Sequence, residues 1–97
     1  MAQLEVLNPV APSAVYSVTP AKRLDNLKGK TIGLYWNIKS GGDVALARIA
    51  QQLKRRYPDT QFRNYIGAVG AGTRRLTQEQ VDEMAATCQG VIGTTAD

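Results

Sequence analysis

The chain has 97 residues with a formal net charge of +4, and 43% of them are hydrophobic while 21% are charged. This length fits one small domain, which buries only about 60–65% of its unfolded surface, so burial against a partner would add to its stability. The single cysteine excludes an intramolecular disulfide framework. The absence of histidine excludes a His-containing metal site or a Ser-His-Asp triad within this chain.

The basic residues are scattered along the chain, and aromatic residues make up only 6% of it. This pattern predicts a solvated basic surface, or one that faces an acidic subunit, and argues against nucleic acid as a partner. No stretch approaches the roughly 20 apolar residues of a membrane span, and the N-terminus lacks the charged start of a signal peptide. We therefore expect no membrane partner and a cytoplasmic location.

Residues 1–30 are apolar but interrupted by Pro9, Pro12 and Pro20, which disfavour a helix or a central strand. They are predicted to form an extended N-terminal arm with short edge-strand pieces. The arm is too apolar to stay free in solvent, so we expect it to pack against this domain or a partner. Its large apolar residues are Leu4, Val6, Leu7, Val10, Val15, Tyr16 and Val18.

Residues 31–97 alternate between strand and helix patterns. The β-branched and aromatic run from Thr31 to Trp36 predicts a buried strand, and "DVALARIAQQLKRRYP" has the apolar spacing of a helix that Pro58 ends. "TQFRNYIG" predicts a second strand. Thr77 and Gln80 form a capping box that opens a second helix, whose predicted apolar face holds Val81, Met84, Ala85 and Cys88. "GVIGTTAD", residues 90–97, predicts a third strand.

This β-α-β-α-β order predicts a three-layer α/β fold, namely half of a doubly wound, flavodoxin- or Rossmann-like parallel sheet preceded by the arm. Three parallel strands leave at least one open edge. Residues 31–97 are therefore interpreted as an incomplete domain that a partner chain completes.

The loop after the first strand is the leading candidate for a binding site. Glycines allow a ligand to approach the backbone, and free N–H groups at a helix start favour an anion. Asn37 can donate and accept hydrogen bonds, Lys39 supplies a mobile cation, and Asp43 is a candidate acid, base or orienting group. The candidate binding residues of the loop are Trp36, Ser40, Gly41, Gly42 and Asp43. A plain turn with an acidic first helical turn explains the same residues.

Other features carry weaker signals. The loop after the first strand matches neither a Walker loop nor the dinucleotide fingerprint. "GAVGAGTRR" contains Gly70 and Gly72 but has Arg75 where a third glycine is needed, so a surface connection is favoured. Cys88 lies on an apolar helix face and is interpreted as a buried free thiol. Asp97 follows the third strand beside the expected position of the Asn37 loop, and is either an orienting carboxylate or a polar chain end.

Taken together, "LKGKTIGLYWNIKSGGDVALARIAQQLKRRYP" and "LTQEQVDEMAATCQGVIGTTAD" resemble the amino-terminal part of the UGSC family over about residues 27–97. That family is named for a selenocysteine-Gly-Ser-Cys motif, which is Cys-Gly-Ser-Cys in many members. The resemblance implies that this motif directly follows the position of Asp97. Three explanations are then open. The motif and its thiol lie on a separately encoded chain, or they are cut from a common precursor, or the present sequence is a truncated piece.

The resemblance thus implies a small subunit of a heteromeric enzyme, acting by redox or nucleophilic thiol chemistry on a small organic substrate. Asp97, Lys39 and Asn37 are the expected catalytic residues: Asp97 for proton handling, Lys39 for charge and Asn37 for substrate polarity. A noncatalytic structural or regulatory subunit and a free-standing anion- or nucleotide-binding module are the alternatives. The sequence identifies no cofactor and no metal site.

Overall fold

The structure is a computed structural model that describes residues 3–67 and 74–95. The described elements follow the predicted order, which confirms the α/β class. They are β1 (Thr31–Trp36), α1 (Gly42–Arg56), β2 (Gln61–Ile66), α2 (Gln78–Thr87) and β3 (Gly90–Thr94).

The three strands form one parallel sheet in the order β2-β1-β3. At the carboxyl end of the sheet, Trp36 of β1 lies opposite Ile66 of β2 and Thr94 of β3. The connection through α1 leads from β1 to one side of the sheet, and the connection through α2 leads back past β1 to the other side. Crossovers of the same hand then place the two helices on opposite faces, as in half of a doubly wound domain.

Side-chain packing on both faces of the sheet agrees with three layers. On the α1 face, Ile32 and Leu34 of β1 pack with Leu46 of the helix, and each is at most 4% exposed. Strand side chains alternate between faces, and on the α2 face Tyr65 and Met84 are buried. The core is therefore small and centred on β1.

Local signals explain where the helices begin and end. Asp43 lies in the first turn of α1 and three basic residues lie in its last turn, which suits the helix dipole. At the start of α2, the Thr77 hydroxyl accepts from the Gln80 N–H at 3.1 Å while the Gln80 side chain accepts from the Thr77 N–H at 2.9 Å. The predicted capping box is confirmed.

The predicted apolar face of α2 is only partly buried. Met84 packs in the core and Cys88 is half-buried, whereas Val81 is 41% exposed and Ala85 is exposed. Cys88 was predicted to be buried and is only half-buried, because α2 meets the sheet mainly through Met84 and the polar side chains around Tyr65.

Most of the arm does not pack on its own domain. Residues 3–26 are exposed and contain no helix or strand, so the expected edge-strand pieces are absent from them. Leu4 and Val15 are each 93% exposed. The radius of gyration is 19.5 Å, against about 12–13 Å for a compact domain of this length. Of the two predicted locations, packing against the chain's own domain is wrong in this structure.

Thr60 anchors the end of the arm to the domain. Its side chain is fully buried, and its hydroxyl donates to the carbonyl oxygen of Leu27 at 2.9 Å. Leu27 in turn packs against the core. The ordered domain therefore begins near Leu27, a few residues before β1.

Within the described ranges, no helix has the length and apolar character needed to cross a membrane.

Candidate active site

The loop between β1 and α1, residues 37–41, is held in one conformation by its own hydrogen bonds. The side-chain oxygen of Asn37 accepts from the backbone N–H of Lys39 at 3.3 Å. The indole N–H of Trp36 donates to the carbonyl oxygen of Lys39 at 2.7 Å. Ile38 has a φ of 70° and Gly41 a φ of 91°, so the chain turns twice through the left-handed region. The loop is tied to the carboxyl end of β1.

This bonding pattern separates the roles of the loop residues. The indole N–H of Trp36 is occupied by its hydrogen bond to Lys39, so only the ring surface of Trp36 is available to contact other groups. The bonds of Lys39 to the loop involve only its backbone atoms. Its side chain is therefore not needed to hold the loop, and a cation is available at the carboxyl end of the sheet.

Gly42 joins the start of α1 to the end of β3. A Cβ atom at this position would lie 2.7 Å from the Thr94 hydroxyl oxygen and 2.9 Å from Cδ1 of Trp36. The Thr94 hydroxyl also donates to the Gly42 carbonyl oxygen at 3.4 Å, a long and weak bond. Glycine is the residue that lets the helix approach β3 so closely. The loop and the end of β3 thus meet at the point where the strand order reverses.

The amino terminus of α1 is electropositive and is not capped by a side chain. Gly41 is its N-cap residue, and no side-chain oxygen of the described residues accepts a cap hydrogen bond there. The first N–H groups of a helix and its dipole attract anions. A carboxylate, thiolate or phosphate oxygen is the chemical group that suits this position.

The structure thus brings most of the predicted site residues to one end of the sheet. Ser40 and Gly41 are exposed, Asn37 and Lys39 are half-buried, and Gly42 is buried. Asp43 also lines a groove between α1 and β2. Asp97 lies outside the described residues, so its predicted role stays a prediction. Most of the glycine-rich loop, including Gly70 and Gly72, is outside them as well.

Two contacts at this end of the sheet were not found by sequence reasoning. The first is the contact between Thr94 and Gly42. Thr94 pairs with Trp36 in the parallel sheet, and this alignment of the two strand ends was the signal that could have revealed the contact. The Tyr35 hydroxyl donates to the carbonyl oxygen of Arg74 at 2.7 Å, which fixes the return of the chain toward α2 beside β1. Arg74 has a φ of 49°, and Arg75 is exposed.

A second polar cluster lies between β2 and α2. The Tyr65 hydroxyl donates a short hydrogen bond to the Glu83 carboxylate, Arg63 pairs with the same carboxylate at 2.9 Å, and the Cys88 sulfur lies 3.5 Å from the Tyr65 oxygen. The bond from Tyr65 lowers the pKa of Glu83, with Arg63 adding to the effect and burial opposing it. The same bond, the Cys88 contact and burial raise the pKa of Tyr65.

Cys88 precedes β3 and so lies toward the amino end of that strand, away from the β1–α1 loop. Its sulfur lies 3.5 Å from the Tyr65 oxygen and 3.3 Å from the position that a Cβ of Gly33 would occupy, which fits a thiol that packs between α2 and the sheet. Among the described residues, no group of three or more histidine, cysteine, aspartate or glutamate side chains is arranged to hold a metal ion.

Comparison with known families identifies the family of the chain. The model of the UGSC family matches residues 5–97. The chain belongs to the UGSC family. The match includes most of the arm and begins well before residue 27, where the sequence resemblance was expected to start. No curated protein and no solved structure matches the chain.

Proposed function

We propose that this UGSC family chain is a small subunit of a heteromeric enzyme and supplies the polar part of a thiol-dependent active site. The family's Cys-Gly-Ser-Cys-like motif would be contributed from outside these 97 residues. The observation that supports this most is the contact of Gly42 with Thr94 and Trp36. It joins the β1–α1 loop, the start of α1 and the end of β3 at the switch point, where doubly wound folds bind ligands.

The electrostatics of this junction suit a thiolate. A cysteine thiol near a helix amino terminus and a cation loses its proton more easily, because both stabilise the charged sulfur. The α1 terminus has no side-chain cap in the described structure, and Lys39 provides a cation that the loop does not need for its own bonding. In the proposed site the thiolate acts as the nucleophile or redox group on a small organic substrate.

The remaining roles follow from the chemistry of the side chains. Asn37 offers polar contacts to the substrate, and Asp97 handles a proton beside the thiol. The loop surface from Trp36 through Ser40 and Gly41 to Asp43 binds the substrate. We place the protein in the cytoplasm, where a thiol of this kind stays reduced.

The open edge of the sheet supports a partner. In the described sheet β3 pairs only with β1, so its outer edge has backbone groups without strand partners. A second chain that continues the doubly wound order would add its strands there and bring its motif to the end of β3. A noncatalytic subunit would use the same edge without needing the polar loop.

Co-purification from the source organism tests this proposal. Mass spectrometry of every polypeptide that stays with the chain through purification should find a segment with a Cys-Gly-Ser-Cys-like motif, in a stoichiometric partner. Intact masses then show whether the motif is encoded separately or cut from a precursor. A chain that purifies folded and ligand-binding, with no such segment in the preparation, would favour the free-standing binding module.

A further inference from the structure

The α1 layer leaves part of the sheet uncovered. Helix α1 lies mainly over β1 and β3, and a groove of about 440 Å³ remains between α1 and β2. Ile66 at the end of β2 is 53% exposed. Most of the groove is apolar, with one carboxylate and one amide among its lining side chains. The residues that line it include Asp43, Ala47, Ala50, Phe62, Asn64 and Ile66.

The edge of β2 beside this groove has free backbone groups. The N–H of Gln61 donates to Lys30 and that of Gly67 to Trp36, so the odd-numbered residues of β2 face β1. The N–H and C=O groups of Phe62 and Asn64 therefore point away from the sheet. The carbonyl oxygen of Ile66 accepts from the Gln80 side chain at 2.9 Å. Among the described residues, the four backbone groups of Phe62 and Asn64 have no strand partner and can pair with an added strand.

The arm contains a segment that fits this edge. Residues 13–19, "SAVYSVT", contain no proline and are rich in β-forming residues. Alternation along a strand would place Ala14, Tyr16 and Val18 on one side, with Ser13, Val15, Ser17 and Thr19 on the other. Tyr16 is 83% and Val18 is 79% exposed in the structure. The segment thus has one apolar side with a single hydroxyl.

We propose that residues 13–19 of a second copy of this chain add a strand to the outer edge of β2 and cover the α1–β2 groove, in a reciprocal exchange of arms. Ala14, Tyr16 and Val18 face the groove, and the Tyr16 hydroxyl finds its partner in the side-chain amide of Asn64 on β2. A buried tyrosine needs such a partner. Strand addition to an exposed edge is a common mode of peptide recognition.

Geometry favours the arm of another copy over the chain's own arm. The arm leaves the domain at the amino end of the sheet, where Leu24 lies near Gly90 at the start of β3. From there it extends away, and the molecule measures 75 Å along its longest axis but only 32 and 25 Å along the others. The groove lies on the β2 side of the sheet. An arm that reaches beyond its own domain is suited to a neighbouring one.

The area is sufficient for a stable dimer. A docked strand of this length buries on the order of 500 Å² of the arm and a similar area of the domain. Reciprocal exchange then buries on the order of 2,000 Å² in total, at the upper end of the range of about 1,200–2,000 Å² for specific complexes. Exchange of identical segments between two copies also closes with twofold symmetry, which prevents open-ended assembly.

Sedimentation equilibrium of the purified full chain over a range of concentrations tests the proposal. The wild-type chain should reach twice its 10.5 kDa mass. Ala47→Glu would place an unpaired carboxylate under the docked strand and should raise the dimer Kd by on the order of 100-fold. Tyr16→Ser combined with Val18→Ser should give the same loss. Val44→Glu is the matched control, because Val44 is 69% exposed on α1 outside the groove lining.

Far-UV circular dichroism and thermal unfolding of each variant show whether its monomer is folded. The arm variant should be folded, since its residues make no contact with their own domain. A wild-type chain that stays monomeric at all concentrations overturns the proposal, as does a dimer that survives both Ala47→Glu and the arm substitutions. These outcomes are independent of the proposed function, which concerns the β1–α1 loop and the edge of β3.

Discussion

Replacing Lys39 by alanine should lower kcat of the assembled enzyme by roughly 100-fold at neutral pH, the usual scale for removing one electrostatic contact to a reacting group. The loop itself should keep its shape, because Lys39 contributes its backbone N–H and carbonyl oxygen to the loop hydrogen bonds. Without the cation the pKa of the proposed thiol rises. Activity of the variant should therefore recover in part as the pH increases.

Steady-state kinetics across pH measure this effect, with native mass spectrometry to show that the complex still assembles. Lys28→Ala is the matched control, since Lys28 is an exposed lysine at the amino end of β1, and its kcat should be unchanged. Asn37→Ala should also reduce kcat, although it removes the acceptor of the Lys39 N–H as well. Asn37→Asp keeps that acceptor oxygen and separates the two effects. A Lys39→Ala enzyme with wild-type kinetics would remove this residue from the site.

Gly42→Ala should lower the free energy of unfolding by about 1–3 kcal/mol, the usual cost of overpacking a fitted contact. The added Cβ would lie within 3 Å of both Thr94 and Trp36, so α1 must shift away from the end of β3. The contact of Gly42 with Thr94 and Trp36 joins the elements of the proposed site. The variant should therefore also have a lower kcat in the assembled enzyme. Urea unfolding followed by circular dichroism measures the stability change.

Gly93→Ala provides the control at the same end of the sheet. Among the described atoms, a Cβ there would meet only Cδ1 of Tyr35 at 3.4 Å, an ordinary contact, so the free energy of unfolding of the variant should be equal to or higher than that of the wild type. Adding Thr94→Ala to Gly42→Ala removes the closer of the two contacts and should restore part of the lost stability. Equal stability of Gly42→Ala and wild type would show that α1 does not depend on this fit.

Local signals were enough to predict the regular elements. The apolar run of β1 and the capping box of α2 specify their segments through nearby residues, and β1 has the predicted bounds. The β-α-β-α-β order then limits the sheet to few topologies. The strand order places the β1–α1 loop beside the end of β3, so the grouping of Asn37, Lys39 and Gly42 at one end of the sheet also followed from the sequence.

The remaining features depend on packing between distant segments, which local patterns do not encode. The approach of α1 to β3, set by Gly42 and Thr94, leaves the groove over β2. Whether the arm packs on its own domain likewise depends on contacts between distant segments, and in the structure such contacts hold only its last residues, near Leu24 and Leu27. The polar cluster of Tyr65 and Glu83 requires that β2 and α2 face each other. The spacing of apolar residues, every second position in a strand and every 3.6 positions in a helix, shows which face of an element is apolar. It does not show which part of that face another element covers.

Disulfide trapping tests the central claim most directly, namely that the β1–α1 loop adjoins the family's thiol motif. Ser40→Cys in a Cys88→Ser background places one thiol on the exposed loop of the assembled enzyme, and Gln51→Cys in the same background places it on the exposed surface of α1. A disulfide forms only when two cysteine Cα atoms lie within about 7 Å. Mass spectrometry after mild oxidation should find the Ser40→Cys thiol joined to a motif cysteine and the Gln51→Cys thiol free. Equal trapping at both positions, or none at Ser40→Cys, would contradict the shared site.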